Sequence, residues 1–473
     1  MVDDNELFVF ILFGITGDLA DRSIIPALFT LFKEYRIPQT FSFIGNGRTK
    51  LTKDEFIKLI RRSLEASVST IEEKAWDLFK NSLYYVQGDI SEKETFKAIN
   101  KQIEAVRKEA GMQVVNRMYH LSVPQAIFPS IIKNLGTTPY KTRGWTRILI
   151  EKPFGHNFTS AKKIYQDVTE YFADDQIFLV DHYLGKETIE NILALRFANT
   201  IFESVWTKRC VHHIQITLAE QGGVKHRGQF YDKTGAIRDV VQNHLLQFLA
   251  LATMDRPQTL EPKDVHTARA EVLQHLYIPQ KENIGNYIVT GQYEAGCIGN
   301  QPVKGYLEEK DIDKQSKTET FAALKLYVNT NEWRNVPIYI RTGKRLPQSI
   351  TELSVVFSKS LKNVFQEQGR HNILTIRIQP AEGIYLRFDA QKPGGGFDLE
   401  PVTMQFCYHD YFHQHIEAYE QVINQAYQGK TTWFATMESI LATWKFIDPF
   451  MEYLGDNSVK PLLYRAGTWG PKE

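Results

Sequence analysis

The chain has 473 residues, 43 % hydrophobic and 12 % aromatic, with 56 basic against 55 acidic side chains and a formal charge of +1. That length exceeds one ordinary core and predicts two domains, while the composition excludes a disordered chain. The balanced charge supplies no global field for nucleic acid or an anionic membrane, so any anion recognition must be local. Cys210, Cys297 and Cys407 are far apart and lack CxxC spacing, which argues against a metal knot or a disulfide framework. The start, MVDDNELFVFILFG, is acidic before its apolar run and does not read as a secretory signal. No run of ~20 apolar residues is present for a membrane span. A reducing cytoplasm is the expected compartment, with neither membrane nor nucleic acid as partner.

Leu7 to Phe13 is an almost continuous apolar run ending at Gly14, the pattern of a strand buried on both faces of a parallel sheet. Asp18 to Glu34 then carries apolar residues at helical spacing. Phe41 to Ile44 is a second apolar run, ending at Gly45. Tyr84 to Gln87 reads as strand and Glu94 to Ala110 as helix. Arg117 to Val123 is strand-like, halted by Pro124, and Ile131 lies in another helix. Thr146 to Ile150 and Ile177 to Val180 are two more strands, ending at Glu151 and Asp181. Strand alternating with helix predicts a Rossmann-like, doubly wound parallel sheet.

After residue 200 the alternation stops. Val211 to Leu218, Tyr287 to Gln292, Phe321 to Val328, Val336 to Arg341, Leu353 to Phe357, Ile373 to Gln379 and Ile384 to Phe388 read as strands without regular crossover helices. This predicts a large, mainly antiparallel sheet with helices such as Asp239 to Met254 on one face. His415 to Tyr427 and Met437 to Tyr453 read as helices. The expected fold is α/β followed by α+β, with a coenzyme-binding domain over 1–185 and a substrate-binding and oligomerisation domain over 186–473.

The first strand runs into Gly14-Ile15-Thr16-Gly17-Asp18-Leu19-Ala20. Glycine there lets the backbone turn sharply and approach a pyrophosphate, and the next helix supplies free N–H groups. GxxG is only part of the GxGxxG fingerprint, so an ordinary strand-to-helix turn stays open. The second strand ends in Gly45-Asn46-Gly47-Arg48. An acid at this place selects the ribose hydroxyl of NAD, and a basic residue accommodates a 2′-phosphate. Arg48 therefore favours NADP, against the alternative of a solvated loop arginine.

Three segments carry dense polar text: Glu151-Lys152-Pro153-Phe154-Gly155, Asp181-His182-Tyr183-Leu184-Gly185-Lys186-Glu187, and Ile237 to Leu246. Lys152 stands where ligands bind in such sheets. On an ordinary α-helix Asp239 and His244 lie roughly 140° apart, able to share a cleft without being face-matched. Oxidising a hydroxyl with a nicotinamide coenzyme needs a base for the hydroxyl proton, and histidine is the usual one. A carboxylate orients it, and His244 with Asp181 fits that pairing. His182, Tyr183 and Lys186 form a plausible phosphate clamp. Any one of these residues taken alone is as well read as a surface or core side chain. No metal is expected, since His212 and His213 are adjacent and would point opposite ways on a strand.

With these segments in place, the chain resembles the glucose-6-phosphate dehydrogenase family along essentially its whole length. GITGDLA resembles the family's coenzyme loop and GNGR its 2′-phosphate loop. EKPFG, DHYLGKE and IRDVVQNHLLQ resemble three diagnostic segments, followed in order by VPIYIRTGKRL, IRIQP, QKPG and the AYE of IEAYEQV. The resemblance implies oxidation of glucose 6-phosphate at C1 with NADP. It implies His244 as general base paired with Asp181, and Lys152 touching both substrate and coenzyme. His182, Tyr183 and Lys186 would bind the phosphate. Glu220, Asp239 and Lys344, with Gln379 a weaker candidate, would hold sugar hydroxyls. Gly14, Thr16, Gly17, Asp18 and Leu19 would line the coenzyme loop, with Arg48 on the 2′-phosphate. It also implies a homodimer or homotetramer joined through the antiparallel sheet.

The chain departs from the family pattern in places. Asp21, followed by Arg22, stands where many members have lysine. Gln348-Ser349 replaces a further basic residue after GKRLP, and Ala219-Glu220-Gln221-Gly222-Gly223 lacks a common proline. Arg377 and Arg387 stand where two basic residues of a second, structural NADP site occur in some members, and that site is not expected here. Two other readings remain: an unphosphorylated-sugar oxidoreductase of the glucose–fructose oxidoreductase type, and a catalytically silent NADP-binding homologue.

Overall fold

A computed structural model of the chain describes residues 6–68, 70–359, 364–365, 369–394, 396–412, 416–456 and 459–472. The first five residues, and His415 at the start of one predicted helix, lie outside these. The described chain divides into two compact units. The first comprises 1–155, 159–185 and 416–437; the second comprises 156–158, 186–415 and 438–473.

The first unit is built on six parallel strands: β1 (Leu7–Phe13), β2 (Phe41–Gly47), β3 (Leu83–Gln87), β4 (Val115–Leu121), β5 (Thr146–Glu151) and β6 (Ile177–Val180). Their order is β3-β2-β1-β4-β5-β6, the doubly wound arrangement that places a crevice where the order reverses at β1. Every residue of β1 is buried, as its unbroken apolar text requires of a strand covered on both faces. In register, Phe10 stands between Phe43 on β2 and Met118 on β4. The predicted helix after β1 begins with a wide π turn at Ala20–Ile24 and continues as α-helix over Ile25–Lys33. The helix Lys53–Ser67 starts at a capping box. The Thr52 hydroxyl accepts from the Glu55 N–H, and the Glu55 carboxylate accepts from the Thr52 N–H.

A cut at 185 omits one return. Ile416–Met437 comes back to the first unit, and its helix Ala418–Gln428 packs Tyr419, Val422, Ile423 and Ala426 into the same core as Phe8, Phe10 and Leu28. The Arg147 guanidinium, on β5, donates to the Ala426 carbonyl at 2.8 Å, a cation at the helix's negative end.

The second unit contributes β7 (Val211–Ala219), β8 (Ile288–Glu294), a short hairpin of β9 (Gly296–Ile298) and β10 (Gln301–Val303), then β11 (Phe321–Leu326), β12 (Ile338–Gly343), β13 (Ile350–Phe357), β14 (Ile373–Gln379), β15 (Gly383–Gln391), β16 (Leu399–Cys407) and β17 (Leu462–Arg465). Nine of these form one sheet, in the order β16-β15-β14-β13-β7-β12-β11-β8-β17. It is mainly antiparallel, with parallel pairs at β12–β7 and β17–β8. In the centre, Ile214, Ile216 and Leu218 of β7 are buried together with Ile338 and Ile340 of β12. Strands β16 and β17 were not read from the sequence. β16 is an edge strand exposed over most of its length, so it lacks the burial that writes alternation into a sequence.

Glu420 provides a test of the first unit's packing. It is buried on the returning helix, 3.7 Å from Arg36, and burial with the nearby Glu34 charge raises its pKa from 4.5 to about 7. The fold therefore favours the protonated carboxyl. Below about 4.5 the folded and unfolded states both hold the proton and no cost arises; ionisation costs stability increasingly between 4.5 and 7, and fully above 7. Glu420→Gln is expected to raise stability by ~1–2 kcal/mol in mildly alkaline buffer and to leave it nearly unchanged in acid. Denaturant unfolding at the two pH values checks this; an equal shift at both would exclude the titration of Glu420 as its cause.

Candidate active site

Each unit carries part of the predicted constellation, and each part is described by itself. In the first unit, β1 hands over to the loop at Gly14, whose φ is +84°. A Cβ at Gly14 would stand 2.2 Å from the Ser122 carbonyl oxygen, so only glycine lets the chain turn over the end of β4. The Gly17 N–H closes the turn onto the Gly14 carbonyl at 2.9 Å. Thr16, Gly17 and Asp18 lead into Leu19, which precedes the π turn. This is a loop into which a diphosphate backbone fits: a turn without side-chain bulk, followed by a helix start. Asp18 is paired with Arg22 at 2.8 Å, with both side chains mostly in solvent.

Arg48 directly follows β2 and is exposed. Its loop is held from β3: the Tyr85 hydroxyl donates to the Gly47 carbonyl at 2.9 Å, and the Gln87 amide donates to the Arg48 carbonyl at 3.3 Å. The buried Asn46 side chain donates to the Val86 carbonyl at 2.9 Å. The guanidinium is thus carried on a fixed backbone at a strand's carboxyl end. Asp89, just past β3, is an acid that the loop text alone does not show. Its hydrogen bonds from Ser91, and to a smaller degree the Arg48 charge, lower its pKa.

Lys152 follows β5 and is half-buried, and its bond to Pro153 is cis. Asp181 follows β6, is 3 % exposed, and accepts from the Tyr183 N–H at 3.0 Å. His182 and Tyr183 are half-buried, with ring centroids 4.8 Å apart. Behind them lies a network that was not singled out from the sequence. Buried Glu151 receives the His120 ring nitrogen at 2.8 Å and the Tyr419 hydroxyl at 3.2 Å. Tyr419 also stacks on His182, at 6.0 Å and 16°. Glu151 and Tyr419 stand inside the EKPFG and AYE motifs, so their text was visible; their meeting, 268 residues apart in the chain, was not.

In the second unit, Ile237–Leu245 is a π-helix rather than an α-helix, continuing as α-helix over Leu246–Thr253. Hydrogen bonding then runs from i to i+5, so Asp239 and His244 are about one turn apart. This corrects the oblique placement expected for an ordinary helix. Polar residues run along a largely buried element: Asp239, Gln242, Asn243, His244 and Gln247 are each under 10 % exposed. Neighbours pin them. Gln242 donates to the Thr443 hydroxyl at 2.9 Å and Gln247 to the Ser439 hydroxyl at 3.2 Å. Buried Glu319 accepts from the Ile237 N–H at 3.0 Å, placing a carboxyl at the helix's positive end. Burial raises the Glu319 pKa. Glu319 too escaped the sequence reading, since nothing in its local text marks it.

The predicted sugar-binding residues come together near this helix. Lys344 donates to Glu220 at 2.6 Å with its side chain 9 % exposed, and its ammonium lies 5.1 Å from the Tyr231 ring centre. Burial, with the Asp239, Glu319 and Glu220 charges, pushes the Tyr231 phenol well above its ordinary pKa. Arg227 reaches Asp239 at 3.6 Å. Lys186, at the start of the helix Glu187–Phe197, donates to the Gln379 side-chain oxygen at 2.5 Å. Two of the departures meet: the Gln221 N–H donates to the Ser349 hydroxyl at 3.0 Å, and the Gln221 amide donates to the Pro347 carbonyl at 2.7 Å.

Comparison with known proteins settles the family. The model for the glucose-6-phosphate dehydrogenase C-terminal domain matches residues 193–473, and that for the family's NAD binding domain matches 11–191. The chain belongs to the glucose-6-phosphate dehydrogenase family. It is 38 % identical to glucose-6-phosphate 1-dehydrogenase of Chlamydia pneumoniae, over 98 % of this chain and 93 % of the relative. It is 36 % identical to the Bacillus subtilis enzyme, over 98 % and 95 %. A solved glucose-6-phosphate dehydrogenase in complex with its substrate glucose-6-phosphate superposes with a TM-score of 0.91 at 31 % identity, covering 99 % of this chain and 96 % of that one. The coenzyme of the family is NADP, and the Gly14 turn and the Arg48 loop fit it.

Two substitutions test this half of the site. Gly14→Ala is expected to cost more than ~1 kcal/mol of stability, from positive φ and the Ser122 contact, and to weaken NADP binding. Thermal unfolding with and without NADP reads both, and an unchanged melting temperature in either condition would contradict the steric argument. Arg48→Ala is expected to raise the KM for NADP roughly 10- to 100-fold, the worth of charge-assisted bonds to a phosphate, and to leave that for NAD nearly unchanged. Equal effects on both coenzymes would refute a 2′-phosphate role.

Proposed function

We propose that this dehydrogenase oxidises glucose 6-phosphate to the 6-phospho-1,5-lactone with His244 as general base and Asp181 as the carboxylate that orients it. The carrying observation is the π-helix Ile237–Leu245, which holds a 3 % exposed histidine about one turn from Asp239, beside the Glu220–Lys344 pair. NADP, when bound, supplies the acceptor for the C1 hydride. His244 takes the proton of the C1 hydroxyl as that hydride departs, and C1 becomes the lactone carbonyl. A base acting this way contributes roughly 10²- to 10⁴-fold. Asp181 fits the orienting role because it is buried at the end of β6 and its carboxylate is aimed by the Tyr183 N–H.

His182, Tyr183 and Lys186 bind the 6-phosphate, and Gln379 sets the position of the Lys186 ammonium. Glu220, Asp239 and Lys344 bind sugar hydroxyls, and Lys152 contacts substrate and coenzyme. We read the working form as a homodimer or homotetramer joined through the large sheet. The exposed edge strand β16, with Met404 62 % exposed, supports this. We place the enzyme in the cytoplasm; no helix among the described residues is long and apolar enough to cross a membrane.

Purified protein is expected to reduce NADP rapidly with glucose 6-phosphate and slowly with glucose. Comparable rates would favour the unphosphorylated-sugar reading, and no reduction with NADP binding intact would favour the silent homologue. His244→Asn should lower kcat roughly 10²- to 10⁴-fold while coenzyme still binds. Near-normal turnover in that variant would sink the assignment.

A further inference from the structure

The turn that carries Arg48 is held from the neighbouring strand, β3, at three successive carbonyls. The Gly47 carbonyl accepts twice, from the Tyr85 hydroxyl at 2.9 Å and from the Gly88 N–H at 3.0 Å. The Arg48 carbonyl accepts from the Gln87 side-chain amide at 3.3 Å. The Thr49 carbonyl accepts from the same Tyr85 hydroxyl. A phenol has one proton, so Tyr85 shares it between the carbonyls on either side of Arg48.

Tyr85 is itself fixed. Its half-buried ring packs 5.2 Å from the ring of Phe56, which is wholly buried. Glycine at position 47 leaves the hydroxyl its place, since a Cβ there would stand 3.1 Å from the Tyr85 oxygen. One residue back, the Ile15 N–H donates to the Asn46 carbonyl at 3.2 Å, which ties this strand end to the Gly14 turn. The Arg48 side chain is exposed, so the place from which it reaches a ligand is set by its backbone.

We propose that Tyr85 is a specificity-determining residue of the coenzyme site, a positioning residue that acts through Arg48 and gives NADP part of its advantage over NAD. The inference rests on the reading of Arg48 as the 2′-phosphate contact. A guanidinium binds phosphate through directional, bidentate bonds, so its worth depends on where its stem begins. A turn that is already held also loses less conformational freedom when the phosphate arrives, which adds affinity without adding a contact. NAD carries a hydroxyl at that place and gains little from the same rigidity. Gln87 acts on the middle carbonyl in the same way and more weakly, being exposed and more loosely bonded.

Inhibition of the full-length enzyme by 2′,5′-ADP and by 5′-AMP, each in competition with NADP, tests the proposal, because the two nucleotides differ only in the 2′-phosphate. Tyr85→Phe keeps the ring and removes the hydroxyl. It should weaken 2′,5′-ADP roughly 3- to 10-fold, the worth of one neutral hydrogen bond, and leave 5′-AMP nearly unchanged. Gln87→Ala, at an exposed position, should give a smaller loss of the same selectivity. In an Arg48→Ala background, Tyr85→Phe should change neither constant, since its route to the phosphate is gone. An unchanged melting temperature shows that the fold survives. Equal weakening of both nucleotides, no change in either, or a selective loss that persists without the Arg48 guanidinium would overturn the proposal. A selective Arg48→Ala beside an unselective Tyr85→Phe removes this inference alone; an unselective Arg48→Ala removes the reading beneath it as well.

Discussion

The parallel sheet of the first unit is covered on both faces, and the residues expected to meet the coenzyme stand at the carboxyl ends of its strands. β1 is buried throughout, and charge placed in its middle would have no water and no partner. Gly14, Asn46, Glu151 and Asp181 all stand at or just past strand ends. There the backbone turns, free N–H groups collect, and side chains can face a ligand while their stems stay packed. The Gly14 turn, the arginine that follows β2 and the lysine that follows β5 all stand where this one constraint puts them.

The second unit solves a different problem, which is to hold several polar side chains inside a buried helix. A π turn widens the helix and shifts which residues share a face, and such turns concentrate at functional sites. The cost of burying Gln242 and Gln247 is offset by their bonds to Thr443 and Ser439, and Glu319 accepts from the N–H at the helix start. Hydrogen-bonded groups of this kind have one satisfactory arrangement, so the helix is positioned as well as stabilised. The Glu220–Lys344 pair is likewise mostly withdrawn from water on the lysine side, which strengthens it relative to a surface ion pair.

The register of β7 against β13 slips once, between Val356 and Phe357, which leaves His212 as the extra residue of a β-bulge. Without the bulge, His212 and His213 would face opposite sides and neither would bear on the other. With it, the rings of His212, His213 and His371 share one face, each with a defined neighbour. The π-helix Ile237–Leu245 and this histidine cluster have in common a local departure from regular geometry that regroups side chains.

Much of the molecule was legible in the text of the chain. The strands of the first sheet, the Gly14 turn, the Arg48 loop and the motifs EKPFG, DHYLGKE and IRDVVQNHLLQ declare themselves, because burial on both faces and glycine at a forced turn leave marks within a few residues. The sequence by itself therefore determined the alternating layout and the coenzyme class. Tertiary structure alone decided the pairing of Glu151 with His120 and Tyr419, the capping role of Glu319, the return of Ile416–Met437 to the first unit, and the π and bulged turns. Those depend on contacts between residues far apart in the chain, or on hydrogen-bond register, and neither leaves a periodic signal in the local sequence.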